Sequence, residues 1–258
     1  MNLSLLPKYF TNNISKRLNK KYKTTIDKKS YWHIRKGKKV LLVAHTDTVQ
    51  YPFYRGYKDG IIYASGLDDR LGVFLGLTLL KERQDVDVLL TDLEETADST
   101  INLVPPEDLA DYNCIIGLDR AGIDFVDYGL ADDILIDAYS DYATIGVGSF
   151  SDICFINEPP CGCINVGIGY ERAHSVNSYA ILKDFIKSYK DLNSFLDNYA
   201  NTKFKAHKEE SDYEAYHNFK DFPLKIYPEG CIGCGAKMNS WENNELCDKC
   251  RIAKYFVY

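Results

Sequence analysis

The sequence predicts an α/β protein, built as a three-layer α/β/α sandwich around a mostly parallel mixed sheet and followed by a small zinc ribbon. From residue 39 onward, short aliphatic runs alternate with helical stretches, and this order builds a parallel sheet covered on both faces. The chain has 258 residues, 45% of them hydrophobic, which is enough to bury a core of that size. Two Cys-x-x-C pairs near the C-terminus indicate the ribbon.

The same pattern divides the chain into three parts. Residues 1–200 contain the alternating strands and helices and are predicted to form one α/β domain. Residues 201–226 are polar and aromatic with weak periodicity, which is typical of a linker. Residues 227–258 contain the spaced cysteines and are predicted to form the ribbon.

The first 39 residues are strongly basic. Twelve lysines and arginines against one acid give this arm a net charge of +11, which leaves −17 on the remainder of a chain whose total is −6. Such an arm could contact nucleic acid or a membrane. We prefer a simpler interpretation, because apolar residues at every fourth position predict an amphipathic helix with the basic side chains on its wet face. These apolar residues are Leu6, Phe10, Ile14 and Leu18.

The elements that follow are predicted from aliphatic runs and from helix-start signals. Strands are predicted at residues 39–47, 60–66, 86–95, 114–122 and 163–169. Helices are predicted at residues 69–83, 106–112 and 179–200. The first helix is apolar on most faces and should be buried, the second starts at Pro106 as helices commonly do, and the third is long and amphipathic.

Ionisable side chains collect at the ends of the predicted strands and in the loops beside them. They are His45 with Asp47, Glu94 with Glu95, Asp119, Asp68 with Asp69, and His174. In an open α/β sheet the carboxyl ends of the strands form the ligand site. The sequence therefore predicts that these side chains meet at one edge of the sheet.

So many acids at one edge would repel each other unless cations neutralise them. Imidazole and carboxylate are ligands that suit Zn²⁺, and Mn²⁺ or Co²⁺ also accept them. Two divalent ions that share a bridging carboxylate would balance these charges. Taken singly, each residue has an ordinary explanation, such as a core histidine or a solvated pair of glutamates, but the ordered set favours a metal centre.

The order H-T-D, D-D, E-E, D and then H resembles the co-catalytic dizinc exopeptidase superfamily over residues 35–200. That superfamily contains aminopeptidases, a tripeptidase, carboxypeptidases and several deacylases. The resemblance implies that residues 1–200 are a dizinc metallohydrolase catalytic domain. It also implies a cis peptide bond between Asp68 and Asp69.

The resemblance further implies a role for each residue of the set. His45, Asp68 and Asp119 would bind one ion, and Asp68, Glu95 and His174 would bind the other, so that Asp68 bridges the two. Asp47 would accept the second ring N–H of His45 and fix its tautomer. Glu94 would be the general base that takes a proton from the metal-bridging water and passes it to the leaving nitrogen.

The compact layout narrows the branch of the superfamily. Only 54 residues separate Asp119 from His174 and 22 separate His45 from Asp68, which leaves no room for an inserted domain. This layout resembles the single-domain aminopeptidases, and it favours an aminopeptidase that acts on short peptides. The motif HTDTV resembles instead the carboxypeptidases and the deacylases of N-acyl amino acids. These enzymes are the alternative to an aminopeptidase. A non-catalytic protein that binds a partner or nucleic acid on the same fold is an alternative of another class.

Four residues are candidates for contact with the substrate. The segment GSFSDICF, residues 148–155, resembles the Ser-Asp segment of the aminopeptidase branch, so Ser151 and Asp152 are candidates, although Ser-Asp is equally an ordinary helix N-cap. Arg120 and Arg172 each lie near a proposed ligand and could pair with a substrate carboxylate. Neutralisation of the acidic rim is the role that we prefer for these two arginines.

The C-terminal cysteines have the spacing of a structural zinc site. Two Cys-x-x-C pairs are separated by twelve residues, and four thiolates at this spacing suit one tetrahedral Zn²⁺. The cysteines are Cys231, Cys234, Cys247 and Cys250. A module of about thirty residues cannot fold on its own core, so the metal should supply its stability.

Composition also constrains the partners and the compartment. The ribbon region, residues 226–258, carries four basic and four acidic side chains, so nucleic acid is not an expected partner. Its aromatic residues offer a surface for a protein partner or for a second copy of the chain.

No apolar run approaches the roughly 20 residues of a membrane helix, and no secretory signal is found. We therefore expect a cytoplasmic protein without membrane contact, whose other four cysteines are reduced.

Overall fold

The structure, a computed structural model, describes residues 1–11, 14–18 and 20–207. Most of the predicted linker and the whole predicted ribbon therefore lie outside the described residues. The four proposed structural-zinc ligands fall there too; they are Cys231, Cys234, Cys247 and Cys250. The fold described below is that of the predicted catalytic domain.

The strands and helices of this part follow the predicted alternation, with several additions. The strands are β1 (Lys23–Ile26), β2 (Lys29–Ile34), β3 (Val40–His45), β4 (Phe53–Lys58), β5 (Ile61–Ser65), β6 (Val86–Thr91), β7 (Cys114–Arg120), β8 (Phe125–Val126), β9 (Cys163–Gly167), β10 (Tyr170–Glu171) and β11 (Tyr179–Ile181). The α-helices are α1 (Leu67–Glu82), α2 (Pro106–Leu109), α3 (Asp133–Ser140) and α4 (Leu182–Tyr199). The predicted helix at 179–200 thus begins with a short strand, β11.

A seven-stranded mixed sheet forms the centre of this unit. Its order is β1-β2-β6-β3-β7-β9-β8, and the four middle strands β6, β3, β7 and β9 run parallel. Antiparallel strands β1, β2 and β8 complete the two edges. All six residues of β3 are buried, although successive side chains point to opposite faces, so the sheet is covered on both sides. The predicted α/β fold with a largely parallel central sheet is confirmed.

A second sheet was not expected from the sequence. Strands β10, β11, β5 and β4 form it in that order, and all of their pairings are antiparallel. Strand β5 was predicted, but it joins this sheet instead of the central one. Four of the six residues of β4, the outer strand of this small sheet, are exposed. Its sequence therefore contains no aliphatic run, which is why the strand was missed.

Helix α1 is the buried helix predicted over residues 69–83. It packs against β3, β6 and β7, and twelve of its residues are buried. Gly72 and Gly76 permit this close approach: a Cβ at Gly72 would lie 2.3 Å from the carbonyl oxygen of Leu118, and one at Gly76 would lie 3.4 Å from the Leu118 side chain. The helix therefore holds the residues at its N-terminus firmly against the ends of the strands.

The N-terminal segment is not the amphipathic helix that the sequence predicts. It forms three short 3-10 helices, at Leu3–Tyr9, Ile14–Lys16 and Lys20–Tyr22. Pro7 lies inside the first one and has no N–H to donate, and the backbone leaves the helical region at Phe10. The four apolar residues of the predicted face are nevertheless all buried in the core; they are Leu6, Phe10, Ile14 and Leu18.

The chain continues to pack on this unit after α4 ends. The side chain of Phe204 is buried and stacks on Phe195 with a centroid distance of 6.1 Å. The Phe204 backbone donates to the Asn113 carbonyl and accepts from the Gly162 N–H. The first residues of the predicted linker, 201–205, thus belong to the packed unit. Among the helices of the described residues, none has the length and apolar character to cross a membrane.

Candidate metal centre

The carboxyl ends of the parallel strands bring the predicted ionisable residues together. His45 is the last residue of β3, and Asp119 lies near the end of the neighbouring strand β7. Glu94 and Glu95 occupy a short 3-10 helix that follows β6. Asp68 lies at the start of α1, and His174 lies in the loop between β10 and β11. Five separate segments therefore supply the site.

Asp68 lies between the two histidines. Its Oδ1 atom is 3.1 Å from His45 Nε2, and its Oδ2 atom is 3.2 Å from His174 Nε2. One carboxylate thus presents one oxygen to each imidazole. This is the arrangement required of a carboxylate that bridges two cations.

Each histidine has a second carboxylate partner. Asp119 Oδ1 is 3.2 Å from Nε2 of His45, and Glu95 Oε2 is 2.9 Å from Nε2 of His174. Glu94 Oε2 lies 3.8 Å from His45 Nε2 and its side chain is 7% exposed. The two predicted ligand sets are therefore assembled around Asp68, with Glu94 beside them.

Asp47 supports three of these residues at once. His45 Nδ1 lies 3.1 Å from the Asp47 carbonyl oxygen and 3.4 Å from its carboxylate. The two carboxylate oxygens accept the backbone N–H groups of Glu94 and Glu95, at 3.3 and 3.1 Å. Asp47 therefore orients the His45 ring and also holds the turn that carries both glutamates. The second contact was not foreseen from the sequence.

Asp69 supports the site from beneath. Its carboxylate accepts the His45 N–H at 3.1 Å and the Gly72 N–H at 2.9 Å. The peptide bond between Asp68 and Asp69 is cis, as the resemblance implies. Within the described part of the chain, two groups are spaced closely enough to hold a metal ion. One is His45, Asp69 and Asp119, and the other is His45, Asp68 and Glu95.

Three further residues support the site, and no motif in the sequence pointed to them. The Tyr170 hydroxyl donates to the Asp119 carbonyl at 2.9 Å, and Asn165 Oδ1 accepts the Asp119 N–H at 3.2 Å. Arg70, 3% exposed, lies one residue beyond Asp69. Burial lowers the pKa of Arg70 to about 10, while the nearby charge of Asp47 opposes that shift. A charged arginine beneath the acids offsets part of their repulsion.

The two histidines are strongly basic in this setting. Hydrogen bonds to Asp68 and Glu95 raise the pKa of His174 to about 10. Burial alone would lower the pKa of His45, but the charge of Asp119 and the contacts with the other carboxylates raise it well above the usual value. The carboxylates around each imidazole therefore stabilise a positive charge there, whether it is a proton on the ring or a metal ion.

The carboxyl groups differ in the same environment. Burial and the charge of Asp119 raise the pKa of Glu94 to about 10. Burial, reinforced by Asp68, raises the pKa of Asp119 well above its usual value. Burial would also raise the pKa of Asp68, but its hydrogen bonds to His174 and His45 lower it instead. The surroundings therefore favour the anionic form of Asp68 and the protonated forms of Glu94 and Asp119.

These residues have the ligand chemistry of a divalent-cation site. The donor set is two imidazoles and three carboxylates, which is the ligand chemistry of zinc. Glu95 Oε1 is buried and has no hydrogen-bond partner among the described residues, whereas its other oxygen contacts His174. A buried carboxylate oxygen without a donor costs free energy unless a cation or water meets it.

The four candidate substrate contacts are placed differently from one another. Arg120 makes two hydrogen bonds to Asp124, at 2.8 and 2.6 Å, and so is already paired with an acid. Arg172 is exposed and lies over the Tyr179 ring, 5.7 Å from its centroid. Ser151 and Asp152 are both buried, and Ser151 does not cap the 3-10 helix that follows it.

The comparison with solved structures finds the same fold in known peptidases. An aminopeptidase PepT from Bacillus cereus matches with a TM-score of 0.55 and 13% identity, over 76% of this chain and 96% of that one. A tripeptidase from Staphylococcus aureus matches with a TM-score of 0.50 and 13% identity, over 67% and 84% of the two chains. The TET1 peptidase of Pyrococcus horikoshii matches with a TM-score of 0.51 and 12% identity, over 75% and 98%.

No protein-family model matches the sequence, and no curated protein does either. The identities to the solved structures are low, so they compare folds and not activities. The fold predicted from the order of the ionisable residues is confirmed by these structures. The described part of the chain therefore has the fold of solved aminopeptidases and tripeptidases.

Proposed function

We propose that this chain is a dizinc metallohydrolase that cleaves an amide bond, and that it acts as an aminopeptidase on short peptides. The observation that carries the proposal is Asp68, whose two oxygens each face one histidine at 3.1 and 3.2 Å. A carboxylate in this position joins two ligand sets. In a hydrolase of this class, each ligand set holds one cation.

His45, Asp68 and Asp119 would hold one cation, and Asp68, Glu95 and His174 would hold the other. The cations would be Zn²⁺, with Co²⁺ or Mn²⁺ as substitutes. When bound, two such ions lower the pKa of water and polarise the substrate carbonyl. Asp47 would keep the His45 ring in one orientation and tautomer through its contacts with Nδ1.

Glu94 would carry the proton during the reaction. Its carboxylate lies at the centre of the site, 3.8 Å from His45 Nε2, yet it belongs to neither ligand set. As general base it would take a proton from the attacking water while the water oxygen bonds to the carbonyl carbon. It would then give that proton to the nitrogen as the C–N bond breaks. Burial and the charge of Asp119 raise the pKa of Glu94, and cations bound beside it would lower that pKa again, so that the ionised carboxylate is available to accept the proton.

Two findings favour an aminopeptidase. The solved structures that share the fold are those of an aminopeptidase, a tripeptidase and a TET1 peptidase. The compact spacing of the proposed ligands also resembles single-domain aminopeptidases. A deacylase of N-acyl amino acids or a carboxypeptidase-like enzyme is the alternative. The observation in its favour is Arg172, an exposed residue two positions before His174. Arg172 makes no ion pair within the described residues, so it is available to a substrate carboxylate.

The test is a substrate panel combined with one variant. Aminoacyl reporters and N-acyl amino acids are assayed with enzyme loaded with zinc, cobalt or manganese. Glu94→Gln should lower kcat by about 100-fold or more and leave the metals bound, because the amide keeps the shape but cannot take the proton. Glu107→Gln, which changes an exposed glutamate on α2, is the matched control and should keep full activity.

Two results would contradict the proposal. One is a wild-type protein that hydrolyses nothing in the panel but retards nucleic acid in a gel, which would favour the non-catalytic alternative. The other is a Glu94→Gln variant that is as active as the wild type. Metal analysis should find about three zinc ions per chain, two in this centre and one on the C-terminal cysteines.

The remaining parts of the proposal concern the setting of the enzyme. The ribbon over residues 227–258 would take one structural Zn²⁺ and contact a protein partner or a second copy of the chain, and light scattering would measure the oligomer. The solved TET1 peptidase can assemble into a tetrahedron or a large octahedral shell, which is a reason to test this chain for an oligomer. A reducing, cytoplasmic compartment is supported by four free thiols; they are Cys114, Cys154, Cys161 and Cys163.

A further inference from the structure

The loop of residues 92–98 carries both glutamates of the site and has little regular structure of its own. It leaves the central sheet at the end of β6 and returns to the core at Ser99. Leu93 and Ala97 have φ values of 64° and 55°, in the region that side chains other than glycine rarely adopt. Such a conformation persists only where neighbouring groups hold it.

One buried carboxylate contacts both ends of this loop. Asp152, which is 1% exposed, accepts a hydrogen bond at Oδ2 from the Thr91 hydroxyl at 2.8 Å. Its Oδ1 atom accepts a hydrogen bond from the Ser99 hydroxyl. Thr91 is the last residue before the loop, and Ser99 is the first residue after it. The Asp152 side chain therefore joins the two ends of the loop, beside the hydrogen bonds between Asp92 and Thr100 that also connect them.

Both partners of Asp152 are themselves anchored. The Thr91 carbonyl accepts the Thr46 N–H and the Thr46 hydroxyl, each at 2.8 Å, next to His45. The Ser99 hydroxyl oxygen accepts the Ile101 N–H at 3.2 Å and caps the helix that follows. Asp47 meanwhile holds the backbone N–H groups at the tip of the loop. Two carboxylates thus fix the loop, one at its tip and one at its base.

We propose that Asp152 is a positioning residue that sets the place of Glu94 and Glu95 by fastening the two ends of their loop. The sequence suggested a substrate contact for Asp152, but both of its oxygens face hydroxyl groups of the protein. The inference rests on the proposed function for its catalytic consequence. Its structural consequence, a loop held at residues 91 and 99, is independent of the reaction.

A carboxylate suits this task better than any neutral side chain. It offers acceptor sites on two oxygens, so it can receive both hydroxyl protons at once. An amide has one acceptor oxygen, so Asp152→Asn would keep the volume but could accept from only one of the two hydroxyls. Asp152→Ala would remove both contacts and leave the buried Ser99 hydroxyl without its acceptor, whereas the Thr91 hydroxyl could turn to the Ala44 carbonyl oxygen, 3.2 Å away. The loop should therefore loosen more in the alanine variant than in the asparagine variant.

The test measures the loop and the reaction separately in the zinc-loaded full-length protein. In Asp152→Asn and Asp152→Ala, amide hydrogen exchange over residues 92–98 should be about tenfold faster or more than in the wild type. On a substrate that the wild type cleaves, kcat should fall by about 10- to 100-fold, because a small displacement of a catalytic group costs that much. KM should stay within about twofold, since no substrate contact is lost.

A matched control separates positioning from general stability. Asp87 is also a carboxylate that is 1% exposed and hydrogen-bonded, to the Tyr112 hydroxyl and to the backbone of Lys36 and Lys38, but it lies at the start of β6. Asp87→Asn should destabilise the fold without changing exchange over residues 92–98 or kcat. If either Asp152 variant fails to fold, Ser99→Ala and Thr91→Val remove the same two contacts from the other side.

The outcomes distinguish this inference from the proposed function. Exchange over residues 92–98 that is no faster than in Asp87→Asn would overturn the inference. A raised KM with unchanged kcat would also overturn it and would make Asp152 a substrate contact. If the wild-type protein has no activity that Glu94→Gln abolishes, the proposed function fails, while faster exchange in the Asp152 variants would still support the positioning role.

Discussion

His33 should make the protein less stable as the pH falls from about 8 to about 5. It lies on β2, away from the metal centre, with its Nε2 atom 3.0 Å from the Tyr112 hydroxyl oxygen. Tyr112 donates its proton to Asp87 at 3.0 Å, so His33 Nε2 must be the donor to Tyr112. Its Nδ1 atom is buried without a partner among the described residues. A second proton on this ring would therefore find no acceptor.

The magnitude follows from the pKa difference between the folded and the unfolded chain. Burial, assisted by the charge of Arg35, lowers the pKa of His33 from 6.5 to about 4. Below pH 6.5 the unfolded chain binds this proton and the folded one does not, so acid favours unfolding. The full difference corresponds to at most about 3.4 kcal/mol, of which about 2 kcal/mol is lost by pH 5.

The assay is urea unfolding of the wild type and of His33→Gln across this pH range. Gln can donate to the Tyr112 oxygen but cannot be protonated, so its loss of stability between about pH 8 and pH 5 should be smaller by about 2 kcal/mol. Other groups titrate equally in both proteins and cancel in the difference. His207→Gln, which replaces an exposed histidine, should keep the wild-type slope. Equal slopes in the wild type and in His33→Gln would refute the reasoning.

Three further outcomes are expected from the same contacts. Phe204→Ala should lower the free energy of unfolding by about 3–5 kcal/mol, because a buried ring is lost. The control Thr202→Ala, at an exposed position, should change that free energy little. A small effect of Phe204→Ala would mean that residues 201–205 do not belong to the packed unit. Asp47→Asn should weaken zinc binding by about 10- to 100-fold in a chelator competition, and unchanged affinity would remove Asp47 from its proposed role. Removal of zinc should lower Tm in the wild type more than in His174→Ala, because an ion stabilises the folded state more when it binds more tightly. Equal shifts would argue against His174 as a ligand.

The sequence was sufficient for the central strands because each one is buried on both faces. Such a strand appears as an unbroken aliphatic run, as in β3, and polar side chains can appear only where the run ends. His45 and Asp119 stand out for this reason, and the topology of parallel strands predicts that they meet. The order of the ionisable residues then predicted the fold that the solved peptidases share.

Elements with exposed or irregular backbone could not be predicted in the same way. Strand β4 has too many exposed residues to form an aliphatic run, and its pairing with β5 depends on contacts across a turn. The N-terminal segment has helical spacing of apolar residues, but Pro7 and the core surface it covers divide it into short turns. Spacing reports which side chains are buried, and it does not report the backbone path between them.

The order of the amino acids alone predicts which residues are candidates for the chemistry and at which edge of the sheet they lie. How each side chain is held depends on packing: Asp47 accepts from the amides of two glutamates, Arg120 donates to Asp124, and Asp152 accepts from Thr91 and Ser99. These last contacts join residues that are four to 61 positions apart in the chain. A hydrogen bond depends on distances of tenths of an ångström between such segments, and only the packed fold sets those distances.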